Sequence, residues 1–174
     1  MKMEDIEGGT PATREFREWF EHELEGWTGI CTKIVADGEH QPPMFFVYRN
    51  KTDATVVDIP SFDSLADKDK TTYMHRVLGH HKQVFACVFT VETWTLSAEP
   101  EDYDKLKNHN ASIEDHPDRG EGIVFNAISH GMQLMAMLPI NRKDNTLGKP
   151  TIIDLMDPTT RSEGRMVIDK APNN

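Results

Sequence analysis

Thirteen consecutive residues, Val84 to Leu96, constrain the fold more than any other stretch of this chain. They read V-F-A-C-V-F-T-V-E-T-W-T-L and are mostly β-branched, aromatic or small, with no glycine or proline. Such a segment predicts one long β-strand. Both alternating sets of its first half are apolar, so we expect this strand to be covered on both faces near the middle of a sheet. Glu92 breaks the pattern, because it places a carboxylate in line with Val88 and Trp94.

Two helices are predicted ahead of this strand. Thr10-Pro11 is typical of a helix start, and an apolar stripe at helical spacing follows, so we expect a helix over 11–37. A short strand at 30–35 is the competing interpretation. A second helix is predicted from a cap at Asp67 or Asp69 to about His81. The stripe of the first helix comprises Phe16, Trp19, Phe20, Leu24 and Trp27.

The remaining apolar segments are short and predict a sheet built mainly from hairpins. Residues 44–49 and 55–59 flank a polar turn, and 122–129 and 132–140 flank His130-Gly131. Further strands are predicted at 151–156 and 165–168. Because helices come early and strands run consecutively, the sequence predicts an α+β fold with a largely antiparallel sheet of about five to seven strands. We expect the two main helices to pack on one face of this sheet.

The length of the chain, 174 residues, suits one domain with a substantial core. We expect a flexible N-terminal arm at 1–9 and a single α+β domain over 10–174, with a long polar loop at 97–121. No stretch resembles a membrane helix or a secretory signal, which predicts a cytoplasmic protein. Cys31 and Cys87 lie in apolar segments without a C-x-x-C pair and are expected to be free thiols.

The net charge of the chain indicates which kinds of molecule it can bind. Nineteen basic and 29 acidic residues give a formal net charge of −10. Because binding to phosphates calls for a basic surface, direct nucleic-acid binding is disfavoured. Solubility is the simplest interpretation of this charge, and a basic protein partner or mimicry of DNA are the alternatives.

Polar residues flank the 97–121 loop and form the candidate site. If the strand beginning near residue 121 pairs antiparallel with the long strand, its start meets the end of that strand. The candidate cluster is Glu92, Trp94, His116, Asp118, Arg119 and Glu121. In one interpretation Arg119 pairs with Glu92 or Glu121 and fixes the loop. In the other, these groups line a small polar pocket with Trp94 as its apolar wall.

The sequence contains no metal-binding motif, and no cofactor is expected. His75, His80 and His81 diverge on a helix and are interpreted as solvated or helix-terminal side chains. His116 and Asp118 are the candidate ligands if a metal binds at all. His116-Pro117-Asp118-Arg119 sits on a turn made rigid by its proline, where an anion or a metal could bind.

Two of these segments resemble a pattern in uncharacterised bacterial and phage proteins, in which E-x-W ends one strand and H-P-D-R-x-E opens the next. Here the pattern is Glu92-Thr93-Trp94 followed by residues 116–121, and D-G-E-H-Q-P-P-M-F-F-V at 37–47 is similar to an earlier segment of the same proteins. The resemblance spans roughly 37–128. It supplies no activity and implies only that these groups belong together.

Three functions are compatible with these patterns. The first is a non-enzymatic binding module of bacterial or phage origin that contacts a protein partner through the 97–121 loop and the sheet edge. The second is a small hydrolase, metal-assisted or acid–base, that uses Glu92, His116, Asp118 and Glu121. The third is an acidic inhibitor that mimics DNA. A homodimer formed by edge-strand pairing is a further expectation.

Overall fold

A computed structural model describes residues 9–96, 116–117 and 119–160. This part of the chain contains two helices, α1 (Arg14–Ala36) and α2 (Leu65–His80). Its seven strands are β1 (Met44–Tyr48), β2 (Ala54–Asp58), β3 (Ala86–Thr95), β4 (Gly120–Ser129), β5 (Met132–Asn141), β6 (Thr146–Leu147) and β7 (Thr151–Asp154). The predicted strand at 165–168, residues 1–8 of the predicted arm and most of the 97–121 loop lie outside the described residues.

The strands form one sheet in the order β2-β1-β3-β4-β5-β6, with β7 also paired to β5. Every pairing is antiparallel, which confirms the α+β class. The long apolar segment becomes β3, which lies between β1 and β4. A two-residue turn joins β4 and β5, and both of its residues, His130 and Gly131, have positive φ, as the predicted hairpin requires.

Helix α1 begins at Arg14, one turn later than predicted. Thr13 is the N-cap, and its hydroxyl oxygen accepts a hydrogen bond from the Phe16 N–H at 3.2 Å. The helix continues through 30–35, so the competing strand interpretation is wrong. It ends at Ala36, and Gly38 follows with a φ of 75°, a conformation that glycine adopts without strain.

Helix α2 is capped by Ser64 rather than by Asp67 or Asp69. The Ser64 hydroxyl accepts from the Asp67 N–H at 3.1 Å, and the Asp67 carboxylate accepts from the Ser64 N–H at 3.2 Å. This reciprocal arrangement is a capping box, in which Asp67 occupies the third helical position.

The two helices pack on opposite faces of the sheet, so the expectation that they share one face is wrong. Trp27 of α1 stacks on Phe46, with ring centroids 5.8 Å apart. His75 of α2 lies against Phe45, with centroids also 5.8 Å apart. Because consecutive residues of a strand point to opposite faces, Phe45 and Phe46 place the helices on either side of β1.

The centre of β3 is buried on both faces for the same reason. Ala86 and Val88 belong to the core under α1, whereas Cys87 and Phe89 belong to the core under α2. All four are at most 2% exposed. Cys31 and Cys87 are buried free thiols, as predicted. Within the ranges described, neither helix has the length and apolarity needed to cross a membrane.

His75 is a core residue, which corrects its interpretation as a solvated histidine. Its side chain is 1% exposed, and its Nε2 lies 3.0 Å from the Cys87 carbonyl oxygen. Burial lowers the pKa of His75 to about 4, although hydrogen bonds with the backbone of Cys87 and Asn126 favour the charged form. The imidazole is therefore neutral at pH 7 and belongs to the packing between α2 and the sheet.

Candidate functional site

Glu92 occupies the face of β3 that is covered by α1, close to the end of the strand. Its side chain is 12% exposed, and both carboxylate oxygens accept hydrogen bonds. Oε1 lies 2.7 Å from Nδ1 of His40 and also binds Nη2 of Arg142. Oε2 accepts from the backbone N–H of Gln41 at 3.1 Å. The carboxylate thus ties the segment that follows α1 to the end of β3, an interior strand of the sheet.

Arg142 joins Glu92 to the second carboxylate of the site. Its Nε donates to Oε2 of Glu121 at 2.7 Å, and its Nη1 donates to the backbone oxygen of Glu39 at 3.3 Å. Arg142 follows directly after β5, while Glu121 is near the start of β4. One guanidinium therefore holds together the ends of β3, β4 and β5.

His40 adds an imidazole whose role depends on its tautomer. Nδ1 lies 2.7 Å from Glu92 Oε1 and 3.0 Å from Arg142 Nη2. When Nδ1 carries a proton it donates to Glu92, and when it does not it accepts from Arg142. The imidazole is largely exposed, at 74% of its side-chain surface.

The electrostatics of this network favour the charged forms of Glu92 and Arg142. Burial opposes ionisation of Glu92, but hydrogen bonds from His40, Arg142 and the Gln41 N–H outweigh it and hold the pKa of Glu92 below its ordinary value. For Arg142, burial acts to lower the pKa, and hydrogen bonds to Glu121 and Glu92 reverse this and raise it. Glu92 is therefore a carboxylate at neutral pH, and both of its oxygens already accept hydrogen bonds, which suits it poorly for proton transfer.

Trp94 and Arg119 form the exposed part of the site. Trp94 lies two residues beyond Glu92 on the same face, is paired across the sheet with Glu121, and is 37% exposed. The Cζ atom of Arg119 lies 4.6 Å from the centroid of the Trp94 ring, a cation–π contact. Of the two interpretations, the one that pairs Arg119 with Glu92 or Glu121 is wrong, because Arg142 pairs with both carboxylates and Arg119 contacts Trp94 instead.

The turn that precedes β4 positions Arg119. The Arg119 N–H donates to the His116 carbonyl oxygen at 3.2 Å, and His116 is half-buried while Pro117 is exposed. Asp118 lies outside the described residues. Of the six predicted site residues, Glu92, Trp94, Arg119 and Glu121 are thus brought together at one end of the sheet, and the backbone of His116 is tied to Arg119.

Three partners were missed by sequence reasoning: His40, Gln41 and Arg142. They lie about 50 residues from Glu92 along the chain on either side. Among the residues that the structure describes, no three His, Cys, Asp or Glu side chains are arranged to hold a metal ion. The metal-assisted role suggested for His116 and Asp118 stays a prediction, since Asp118 is outside the described part.

Comparison of the chain with known protein families, with curated proteins and with solved structures finds no match.

Proposed function

We propose that this chain is a non-enzymatic binding module whose contact surface is centred on Trp94 and Arg119 and includes the 97–121 loop. One observation carries the proposal: the partly exposed indole of Trp94, at the end of β3, stacks with the guanidinium of Arg119, which lies just before β4. Tryptophan and arginine are the residues that most often dominate the energy of protein–protein contacts. Their stacking at the surface holds both groups ready for a partner.

The carboxylate network beside this surface supports the same proposal. Glu92 and Glu121 are both engaged by Arg142. These groups therefore have a structural role, because they hold together the strand ends next to Trp94. A rigid support lowers the entropy that Trp94 and Arg119 lose on binding.

The proposed partner is a protein. A formal net charge of −10 disfavours direct binding to nucleic acid and favours partners with a basic surface. A cytoplasmic location and a bacterial or phage origin belong to this proposal as well. The acid–base form of the hydrolase hypothesis would need Glu92 to exchange protons, and its lowered pKa and its hydrogen bonds to His40, Arg142 and Gln41 do not favour that role.

The proposal is tested by affinity capture from a bacterial lysate with three immobilised proteins: wild type, Trp94→Ala and Tyr73→Ala. Tyr73 is the matched control, because it is an aromatic residue with 49% exposure on α2, across the sheet from Trp94. We expect a protein that is retained by wild type and Tyr73→Ala and reduced about tenfold or more by Trp94→Ala. Equal retention by all three proteins would contradict the proposal. So would a hydrolytic activity of the purified chain that disappears in Glu92→Gln.

A further inference from the structure

Among the strands that the structure describes, β2 leaves one edge of the sheet open. In the sheet order it stands at the end, next to β1. All five of its residues are exposed, and Val56 and Val57 are among the most exposed large apolar residues described, at 54% and 38%. An edge strand of this kind offers unpaired backbone groups to another strand.

The pairing with β1 determines which backbone groups point outwards. The Arg49 N–H donates to the Asp53 oxygen at 2.9 Å, and the Ile59 N–H donates to the Pro43 oxygen at 3.2 Å. In an antiparallel ladder the residues that bond to a neighbour alternate. Residues 53, 55, 57 and 59 therefore face β1, and the N–H and C=O groups of Ala54, Val56 and Asp58 face the open edge.

We propose that β2 pairs with β2 of a second copy of this chain, antiparallel and centred on Val56. A two-fold axis at Val56 sets Val56 against its own copy and sets Ala54 against Asp58 in both directions. Every outward N–H and C=O of the three residues then meets a partner of the opposite kind. The register also avoids placing the two Asp58 carboxylates opposite one another, which would be repulsive.

Helix α1 carries an exposed apolar residue, Ile30, on the side near β2, where the second copy would lie. The Glu23 carboxylate accepts from the Tyr48 hydroxyl at 2.6 Å, and the Trp19 indole donates to the Lys51 oxygen at 3.0 Å. This side of α1 thus faces the β1–β2 hairpin. Ile30 is seven residues after Glu23, about two helical turns, so it lies on the same side, and it is 58% exposed. The second copy would cover Val56 and approach Ile30.

The sequence of β2 has few of the features that usually protect an edge strand, and Asp58 is its one charged residue. The segment A-T-V-V-D contains no proline and no lysine, and its pairing with β1 is continuous, without a bulge. Charge opposes the contact rather than driving it, because each copy has a formal net charge of −10. Since salt screens this repulsion, association should strengthen as ionic strength rises. This dimer goes beyond the proposed Trp94–Arg119 surface and is independent of it.

The test is sedimentation equilibrium of the full chain over a roughly hundredfold range of concentration. The wild type should shift from 19.8 kDa towards about 40 kDa, twice that mass. Val56→Pro removes one outward N–H while leaving the ladder with β1 intact, a position that tolerates proline. We expect it to raise the dissociation constant of the dimer about tenfold or more. Val56→Thr keeps the N–H and the strand propensity, so it should dimerise nearly as well as the wild type.

Circular dichroism shows whether each variant is folded, and Val56→Lys provides a second disruption at the same edge. A wild type that stays at 19.8 kDa throughout the range would overturn the proposal. A folded Val56→Pro protein that dimerises like the wild type would do the same. Dissociation by added salt would also contradict it, since that result indicates a contact held by opposite charges.

Discussion

His75 makes the stability of this protein depend on pH between neutrality and pH 4. Its ordinary pKa of 6.5 falls to about 4 in the folded chain, because the ring is fully buried. Between these values the unfolded chain binds one more proton than the folded chain, so the free energy of unfolding decreases as the pH falls. The contribution is complete above about pH 6.5 and is lost as the pH approaches 4.

The size of the effect follows from the shift. A change of one pKa unit corresponds to about 1.4 kcal/mol, so His75 alone should remove about 3 kcal/mol of stability between pH 7 and pH 4. Carboxylates titrate in the lower part of this range, and a variant without the imidazole separates their contribution. His75→Gln keeps a hydrogen-bonding group for the Cys87 carbonyl but has no proton to gain in this range.

The assay is urea unfolding of wild type and His75→Gln at several pH values from 7 to 4. We expect the stability of the wild type to fall about 3 kcal/mol further than that of the variant over this range. A difference between the two proteins that does not change with pH would show that His75 titrates normally. A wild type that gains stability relative to the variant on acidification would refute the burial argument outright.

Two further substitutions test the packing and the charge network. Arg142→Met leaves Glu92 and Glu121 without the guanidinium that pairs with both, so it should lower the free energy of unfolding in urea by about 1–3 kcal/mol. Its control is Lys143→Met at the exposed next position, which should change that free energy by less than about 0.5 kcal/mol. Gly79→Ala should cost about 1–3 kcal/mol or prevent folding, because the new Cβ would lie 2.6 Å from the Cβ of buried Ile128. Its control is Gly29→Ala in α1, where the new methyl group meets open space, and thermal unfolding should show a gain of about 0.5–1 kcal/mol. Equal effects within either pair would contradict the contacts described.

Hydrophobic periodicity was sufficient to predict most of the fold. The apolar stripe of α1 and the composition of β3 identified a helix and a central strand, because their burial depends on local spacing alone. The helices were wrongly predicted to share one face, although the sequence contained the information to place them correctly. A strand with Val88 buried on one face and Cys87 buried on the other needs cover on both sides, so two helices on one face could not satisfy it. The Ser64 cap also had a local signal in S-x-x-D.

The polar network was harder to predict, because its members are far apart in the chain. One part of it could be found by counting: a hairpin that turns at His130-Gly131 pairs Glu121 with Ile140 and brings Arg142 close to Glu121. No comparable count places His40 beside Glu92. That contact depends on how the segment after α1 packs against the sheet, which local sequence does not encode.

The central claim is that Glu92 is a structural group, ionised at neutral pH, that supports the surface formed by Trp94 and Arg119. The most direct measurement is an NMR titration of the Glu92 side-chain carboxyl carbon in the folded protein. The hydrogen bonds from His40, Arg142 and Gln41 predict a pKa below the ordinary value of 4.5, and a return towards that value in Arg142→Met. A pKa above 4.5 in the wild type would contradict the account and would favour an acid–base role for this carboxylate.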